Sequence, residues 1–222
     1  MQANSRPVSS NQPWSHPRLG ELVRRHLLHP WRKPVAGHNR QAFAELERAL
    51  TTAPRPLILD SFCGTGQSTA LLAQRHPGHL VVGVDQSAAR LQRHRSGSNG
   101  SYLLLRAECE AIWQLLLERR WQLEAHYLLY PNPWPKSAHL RRRVHGHASF
   151  PLLLALGGRV ELRSNWQIYV EEFGLAMALA GRRGRVSRIS GEPPLTLFEQ
   201  KYRDSGHTLW CYRTGDAVAA IG

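Results

Sequence analysis

The chain has 222 residues, 42% of them hydrophobic, enough for one sizeable core and too many for a disordered chain. Its 29 Lys and Arg outweigh 16 Asp and Glu to give a formal charge of +13, and every one of those cations except Lys33, Lys136 and Lys201 is arginine, the better fork for phosphate oxygens, so a polyanionic partner is expected. Cys63, Cys109 and Cys211 are too scattered for a disulfide framework or a metal knuckle, and no apolar run approaches the roughly 20 residues that span a bilayer.

The first 17 residues are polar, hold Pro7, Pro13 and Pro17, and read as a disordered tail. They lack the apolar segment of a secretory signal; their Arg- and Ser-containing, acid-free composition leaves an organellar transit peptide as an alternative. With the cysteine pattern, the expectation is a soluble protein of the reducing cytoplasm. Leu19 to Leu28 and Ala42 to Leu50 are predicted helices flanking a basic loop, and residues 18–56 read as a basic helical extension. The segments LILD, LVVGVD, YLLLRA, AHYLLY and RVELRS are short apolar runs alternating with helical patterns, which predicts a mostly parallel α/β sheet with helices on both faces. The helices expected between them include residues 86–94 and a segment around Ala148 to Leu156. RVSRI and HTLWCYR then predict an antiparallel pair at one edge. A single domain over residues 57–215, with a tail at 216–222, is the expected organisation.

In open parallel sheets, ligands sit beyond the carboxyl ends of the strands. The first run delivers Asp60-Ser61-Phe62-Cys63-Gly64-Thr65-Gly66 there, and the two glycines permit a tight turn. Asp85 ends the second run, nineteen residues after Gly66, where a carboxylate can accept both hydroxyls of a ribose. A nicotinamide fingerprint needs a third small residue, and Thr69 stands at that position. Asp-x-x-x-Gly-x-Gly instead resembles motif I of the class I S-adenosylmethionine methyltransferases. The resemblance implies a Rossmann-like seven-stranded fold, with Asp60 facing the amino acid part of the cofactor, Phe62, Gly64 and Gly66 around it, Asp85 on the ribose and Glu108 at the adenine edge.

After the fourth run comes Tyr130-Pro131-Asn132-Pro133-Trp134-Pro135-Lys136, closed by Arg141-Arg142-Arg143. The prolines fix the backbone and deny helix, and a rigid loop there suits the positioning of a substrate. Trp134 offers an aromatic face, Lys136 a cation and the arginines a phosphate cluster. This loop resembles the DPWPKxxHxKRR signature of the bacterial tRNA (guanine-N7-)-methyltransferases. Arg163 to Tyr169 and Thr196 to Tyr202 resemble that family's T-D-x-x-x-Y and T-x-F-E-x-K segments, and the resemblance covers residues 57–213. It implies methylation of guanine N7 in tRNA, by a monomer or homodimer, with Asn132 at the reaction centre and in contact with the cofactor. Trp134, Lys136, Arg141, Asn165, Thr196 and Glu199 are then expected to hold the nucleotide, Glu199 on guanine N1 and N2.

Three positions depart from that family. Asn132 and Asn165 stand where it has aspartates, and Phe62 precedes Cys63 where it has a glycine. N7 carries a lone pair and no proton, so the displacement needs no general base. An amide at 132 forfeits a charge worth about 2–4 kcal/mol of transition-state stabilisation, or about 30- to 1,000-fold in rate. Two alternatives therefore stand beside the first reading: the same cofactor with another RNA or a small molecule, and a catalytically inactive relative that binds RNA or a partner. Salt-dependent RNA contacts are expected from Arg24, Arg25, Arg32, Lys33, Arg141–Arg143, Arg182, Arg183 and Arg185. The pair His145 and His147 lacks further ligands at useful spacing, so no metal site is expected.

Overall fold

The computed structural model describes residues 5–29, 31–95 and 100–214. Its centre is a run of strands buried on both faces. β1 (Leu57–Ser61) and β2 (Leu80–Asp85) have no exposed position, which is why they read as continuous apolar runs. β3 (Tyr102–Arg106), β4 (Ala125–Leu129) and β5 (Arg159–Ser164) join them in parallel, with Asp60 level with Gly83 and Asp85 level with Arg106. β7 (Trp210–Thr214) runs antiparallel to β5, and β6 (Gly184–Arg188) antiparallel to β7, giving the seven-stranded order β3-β2-β1-β4-β5-β7-β6. The order reverses between β1 and β4, so a crevice opens at their carboxyl ends.

Helices cover both faces: α1 (Leu19–Leu28), α2 (Gly37–Thr52), α3 (Gln67–Arg75), α4 (Ala88–Leu91), α5 (Cys109–Glu118), α6 (Phe150–Ala155), α7 (Gln167–Leu179) and α8 (Leu197–Asp204). α3 lies so close to β2 that a Cβ on Gly83 would meet Thr69 Oγ1 at 2.2 Å. α2 starts at Gly37, inside the expected basic loop, because Asn39, Phe43 and Leu46 form a buried stripe. The helix expected over 86–94 is only the four residues of α4, none of them buried, so its propagation has no packing reward. The helix expected near Ala148 is preceded by two 3₁₀ turns, Ser137–Arg142 and Val144–Gly146, and begins at Phe150 with Pro151 in its first turn. No helix among the described residues is long and apolar enough to cross a membrane.

The register settles the place of one basic cluster. Gly184 pairs with Thr214, at the end of β7 beside the start of β5, whereas Arg188 and Ser164 both pair with Trp210. The turn carrying Arg182, Arg183 and Arg185 is therefore at the end of the sheet opposite the crevice. Arg182 is moreover spent internally, donating to the carbonyls of Leu154 (3.2 Å) and Gly158. The three were expected either to contribute to RNA contacts or to form a basic turn; this position is across the sheet from the substrate loop.

The N-terminal segment departs most from expectation. Residues 5–17 do not hang free: Val8 packs on the main core and Gln12 is 5% exposed. Residues 1–4 of the expected tail and the expected tail at 216–222 lie outside the described residues. Gln12 Nε2 and the His16 amide each donate to Glu172 Oε1 at 2.7 Å. On the other oxygen, Glu172 accepts from Arg143 Nη1 and from His145 Nε2 at 3.0 Å. Burial alone raises the Glu172 carboxyl, but the hydrogen bonds from His145 and His16 and the Arg143 charge outweigh it and hold the group down to about 2. Burial lowers His145, which fits a neutral ring donating through Nε2. Arg143 was expected to bind phosphate; it is fully buried instead, its guanidinium also 4.9 Å from the centroid of Trp166. Glu172 is its ionic partner, so removing Arg143 strands a buried carboxylate. Arg143→Ala should lose about 3–5 kcal/mol of unfolding free energy in denaturant titration, whereas Arg183→Ala, at an exposed turn, should change it by less than about 0.5 kcal/mol.

Candidate active site

One cavity of about 760 Å³ opens at the carboxyl ends of β1 and β4. Of the expected residues, Phe62, Gly64, Asn132, Trp134, Arg141 and Thr196 line it. The glycine turn and the Pro/Trp loop thus face the same space. Gly64 (φ +61°) has no atom within 4 Å of where a Cβ would stand, so a ligand can reach its backbone. Gly66 (φ +75°) is set deeper, against Leu104, whose methyls would lie 2.6 Å from an added Cβ.

Two buried acids lie behind the glycine turn, neither of them on the cavity lining. Asp60 is fully buried; its Oδ2 accepts from Ser68 Oγ (2.6 Å) and Thr69 Oγ1 (2.7 Å), while Oδ1 has no partner among the described residues. Burial, aided by the negative charge of Asp85, raises its pKa to about 6 against the two hydroxyl bonds. Asp85 is 2% exposed and does not line the cavity directly: it accepts from the amides of Gly64 (3.0 Å) and Ser87 (2.8 Å) and pairs with Arg90 at 3.0 Å. It braces the glycine turn, and Arg90, on the cavity wall, occupies part of the carboxylate expected for ribose.

The rim is cationic, with Arg90, Arg93, Arg141, Arg142 and Lys201 on the lining. Arg142 stacks 4.8 Å from the Trp134 centroid, and Asn132 Oδ1 accepts from the Trp134 amide at 3.3 Å. Lys136 is exposed and off the cavity wall.

Three further expected residues are held elsewhere. Glu108 caps α5 and pairs with Lys33 at 2.7 Å, tying the N-terminal extension to β3 rather than facing the cavity. Asn165 meets His207 Nδ1 at 3.2 Å. Glu199 was expected to read guanine N1 and N2, but it is fully buried and its oxygens are taken by Arg163 Nη1 (2.9 Å), Arg203 (3.4 Å) and the Leu195 amide (3.3 Å). Thr196 Oγ1 accepts from the Glu199 amide (2.9 Å) and so caps the start of α8. Glu199 thus anchors the α8 wall to Arg163, which also holds Glu161 and Glu192.

The structure adds residues that sequence reasoning did not single out. Leu197 and Phe198 are 57% and 48% exposed yet line the cavity. Phe198 stacks on Tyr202 (6.2 Å), which stacks on His207 (5.3 Å). Tyr130 also lines the cavity with a buried hydroxyl that has no partner among the described residues. Phe62, Tyr130 and Trp134 all have positive φ, at 64°, 55° and 47°. Phe62 meets Trp113 edge-on at 6.1 Å.

A sheet in this order, with a glycine turn after β1, acids ending β1 and β2 and a reversed last strand, is a Rossmann-like class I methyltransferase. Among solved structures, the 16S rRNA methyltransferase KamB shares that fold at a TM-score of 0.57 and 17% identity, over 82% of this chain and 94% of its own. An antibiotic-related methyltransferase shares it at 0.55 and 14%, over 82% and 95%. A family model described as "Putative methyltransferase" matches residues 54–212. A tRNA (guanine-N(7)-)-methyltransferase of Hydrogenovibrio crunogenus is 31% identical over 70% of this chain and 70% of its own length, and one of Zymomonas mobilis is 27% identical over 72% and 74%. The chain belongs to the tRNA (guanine-N7-)-methyltransferase family.

Proposed function

We propose that this protein transfers the methyl group of S-adenosylmethionine to N7 of a guanine in tRNA. The observation that carries the reading is the shared cavity: the glycine turn after β1 and the Pro/Trp loop after β4 wall one space, so a cofactor on the first lies against a base on the second. The family's named relatives modify tRNA at that atom. Three buried free thiols fit a reducing, cytoplasmic setting.

The residues suit this cofactor. It is a cation at sulfur and at its amino group, and behind Ser68 on the cavity wall lies the Asp60 carboxylate, one oxygen of which lacks a partner among the described residues. An accessible backbone at Gly64 and a cavity of about 760 Å³ leave room for the rest. When bound, the cofactor supplies an electrophilic methyl group. The protein's share is to hold the base. Asn132 and Trp134 lie on a loop stiffened by proline, the exposed Phe198 ring offers a stacking surface backed by Tyr202 and His207, and Arg141, Arg142 and Lys201 meet phosphate. No side chain has to remove a proton from N7. The buried state of Glu199 favours a second reading, the same cofactor with a different base, because the expected guanine reader is spent inside the fold.

Incubation with S-adenosylmethionine and unmodified bulk tRNA, followed by nucleoside analysis, separates these readings: N7-methylguanosine is expected, a methyl group elsewhere supports the second reading, and binding without turnover overturns both. Asn132→Asp should raise guanine methylation about 30-fold or more; an unchanged or lower rate means the loop serves another substrate. Phe198→Ala should raise KM for tRNA about 5- to 150-fold, leaving cofactor affinity in place. Above about pH 6 the Asp60 carboxylate is charged and attracts the cation; below it the group is protonated and the attraction is lost. Calorimetry should therefore find cofactor affinity falling about tenfold from pH 7.5 to pH 5, a dependence that Asp60→Asn abolishes.

A further inference from the structure

We infer that residues 5–16, and within them Ser10, Asn11 and Gln12, form a clamp that sets the geometry of the Pro/Trp loop and holds it in fixed relation to α8. This rests on the proposed function only for the claim that the loop carries the RNA base.

The loop has little of its own to hold it. Pro131, Pro133 and Pro135 lack amide donors, so the segment cannot close a helical or strand ladder. Its carbonyls are satisfied from outside. Trp134 O accepts from Arg143 Nε at 3.2 Å, Pro135 O from Ser10 Oγ at 2.6 Å, and Lys136 O from Arg143 Nη2 at 3.4 Å. Where the loop turns into its 3₁₀ segment, the Ser137 amide donates to Asn11 Oδ1 at 3.0 Å. Gln12 then orients the arginine that does the rest: its Oε1 accepts from Arg143 Nη2 at 3.0 Å while its Nε2 donates to Glu172 and to Trp14 O, each at 2.7 Å. Three consecutive side chains thus bind three points of one loop or its anchor. A free tail has no reason to do this.

The same segment reaches the other wall. The Ser5 amide donates to Ser205 Oγ at 3.1 Å, and Ser5 O lies 2.9 Å from His207 Nε2. Ser205 caps the C-terminal end of α8, the helix whose first turn brings Thr196, Leu197 and Phe198 to the cavity, and His207 ends the ring stack that begins at Phe198. Ser10 lies five residue steps after Ser5, and a fully extended chain of that length spans at most about 18 Å. The segment therefore limits how far α8 and the loop can separate. Val8, midway, is packed on the core, which fixes the tether along its length. Ser10, Asn11 and Gln12 are positioning residues: they act through the loop backbone and Arg143.

The test uses the full chain carrying Ser10→Ala with Asn11→Ala, which keeps the Gln12 side chain and the buried Arg143–Glu172 pair and removes the hydroxyl to which the Gln12 amide also donates. Hydrogen exchange of the peptide spanning residues 131–143 is read beside the single-turnover rate of methyl transfer to tRNA, cofactor affinity and melting temperature. Exchange in that peptide should speed up and the transfer rate should fall about tenfold or more, with cofactor affinity within about twofold and melting shifted by only a few degrees, as for the loss of the part-exposed hydrogen bonds that Ser10 and Asn11 make with Pro135, Gln12 and Ser137. Ser10→Thr with Asn11→Asp, which keeps the hydroxyl and the acceptor oxygen, should restore both readouts. Unchanged exchange in the 131–143 peptide, or accelerated exchange with an unchanged rate, overturns the clamp. If the unaltered protein methylates no tRNA, the proposed function fails; the exchange readout still decides whether the segment holds the loop.

Discussion

The site depends on one buried charge pair. Arg143 and Glu172 are both fully buried, and a pair in that position is tolerable only when the donors and acceptors around it are matched. Here four donors converge on the carboxylate, and the guanidinium spends its remaining hydrogens on two carbonyls of the Pro/Trp loop and on Gln12. The requirement runs outward. α7 supplies Glu172, the segment after the loop supplies Arg143 and His145, and the N-terminus must fold back to supply Gln12 and the His16 amide. A loop that cannot form a ladder is thus made rigid by a network of side chains from three separate parts of the chain.

A second ionic cluster performs a similar service for the other wall. Arg163, near the end of β5, is 1% exposed and binds Glu161, Glu192 and Glu199, and Arg213 joins Glu161 and Glu192 from β7. Around the cavity, arginines stand on the lining and the Asp60 and Asp85 carboxylates lie buried behind the glycine turn. That layering suits a cationic small molecule below and a polyanion above, and each layer would repel the other ligand.

The strands were legible because burial on both faces writes an unbroken apolar run, as in LILDS and LVVGVD, and because each run ends where the pattern turns helical. The reversed edge was visible from the alternation in HTLWCYR. The glycine turn and the proline loop were legible as local signals, since both are consequences of backbone restriction within a few residues. What escaped is long-range pairing. Glu199 looks like a free acid on an amphipathic helix until Arg163, 36 positions earlier, is found beside it. Arg143 looks like its two exposed neighbours, and nothing local marks it as the one turned inward. Gln12 belongs to a polar, proline-bearing stretch whose composition matches disorder, and its partners lie 131 and 160 positions away. Composition reports the average tendency of a segment to collapse; it is silent on whether a distant buried charge has a place for one amide.

Phe62, Tyr130 and Trp134 hold left-handed backbone conformations that a glycine would adopt freely. Strain of this kind persists only where surroundings enforce it, and here all three rings line one cavity. An engineer seeking a hardier protein would be drawn to these positions first, since glycine there relaxes the main chain at a stroke. The same exchange would strip the crevice of its aromatic surfaces. Thermal robustness and ligand grip are therefore set against each other at three identifiable residues, and improvement of the first has to be sought at sites remote from the crevice.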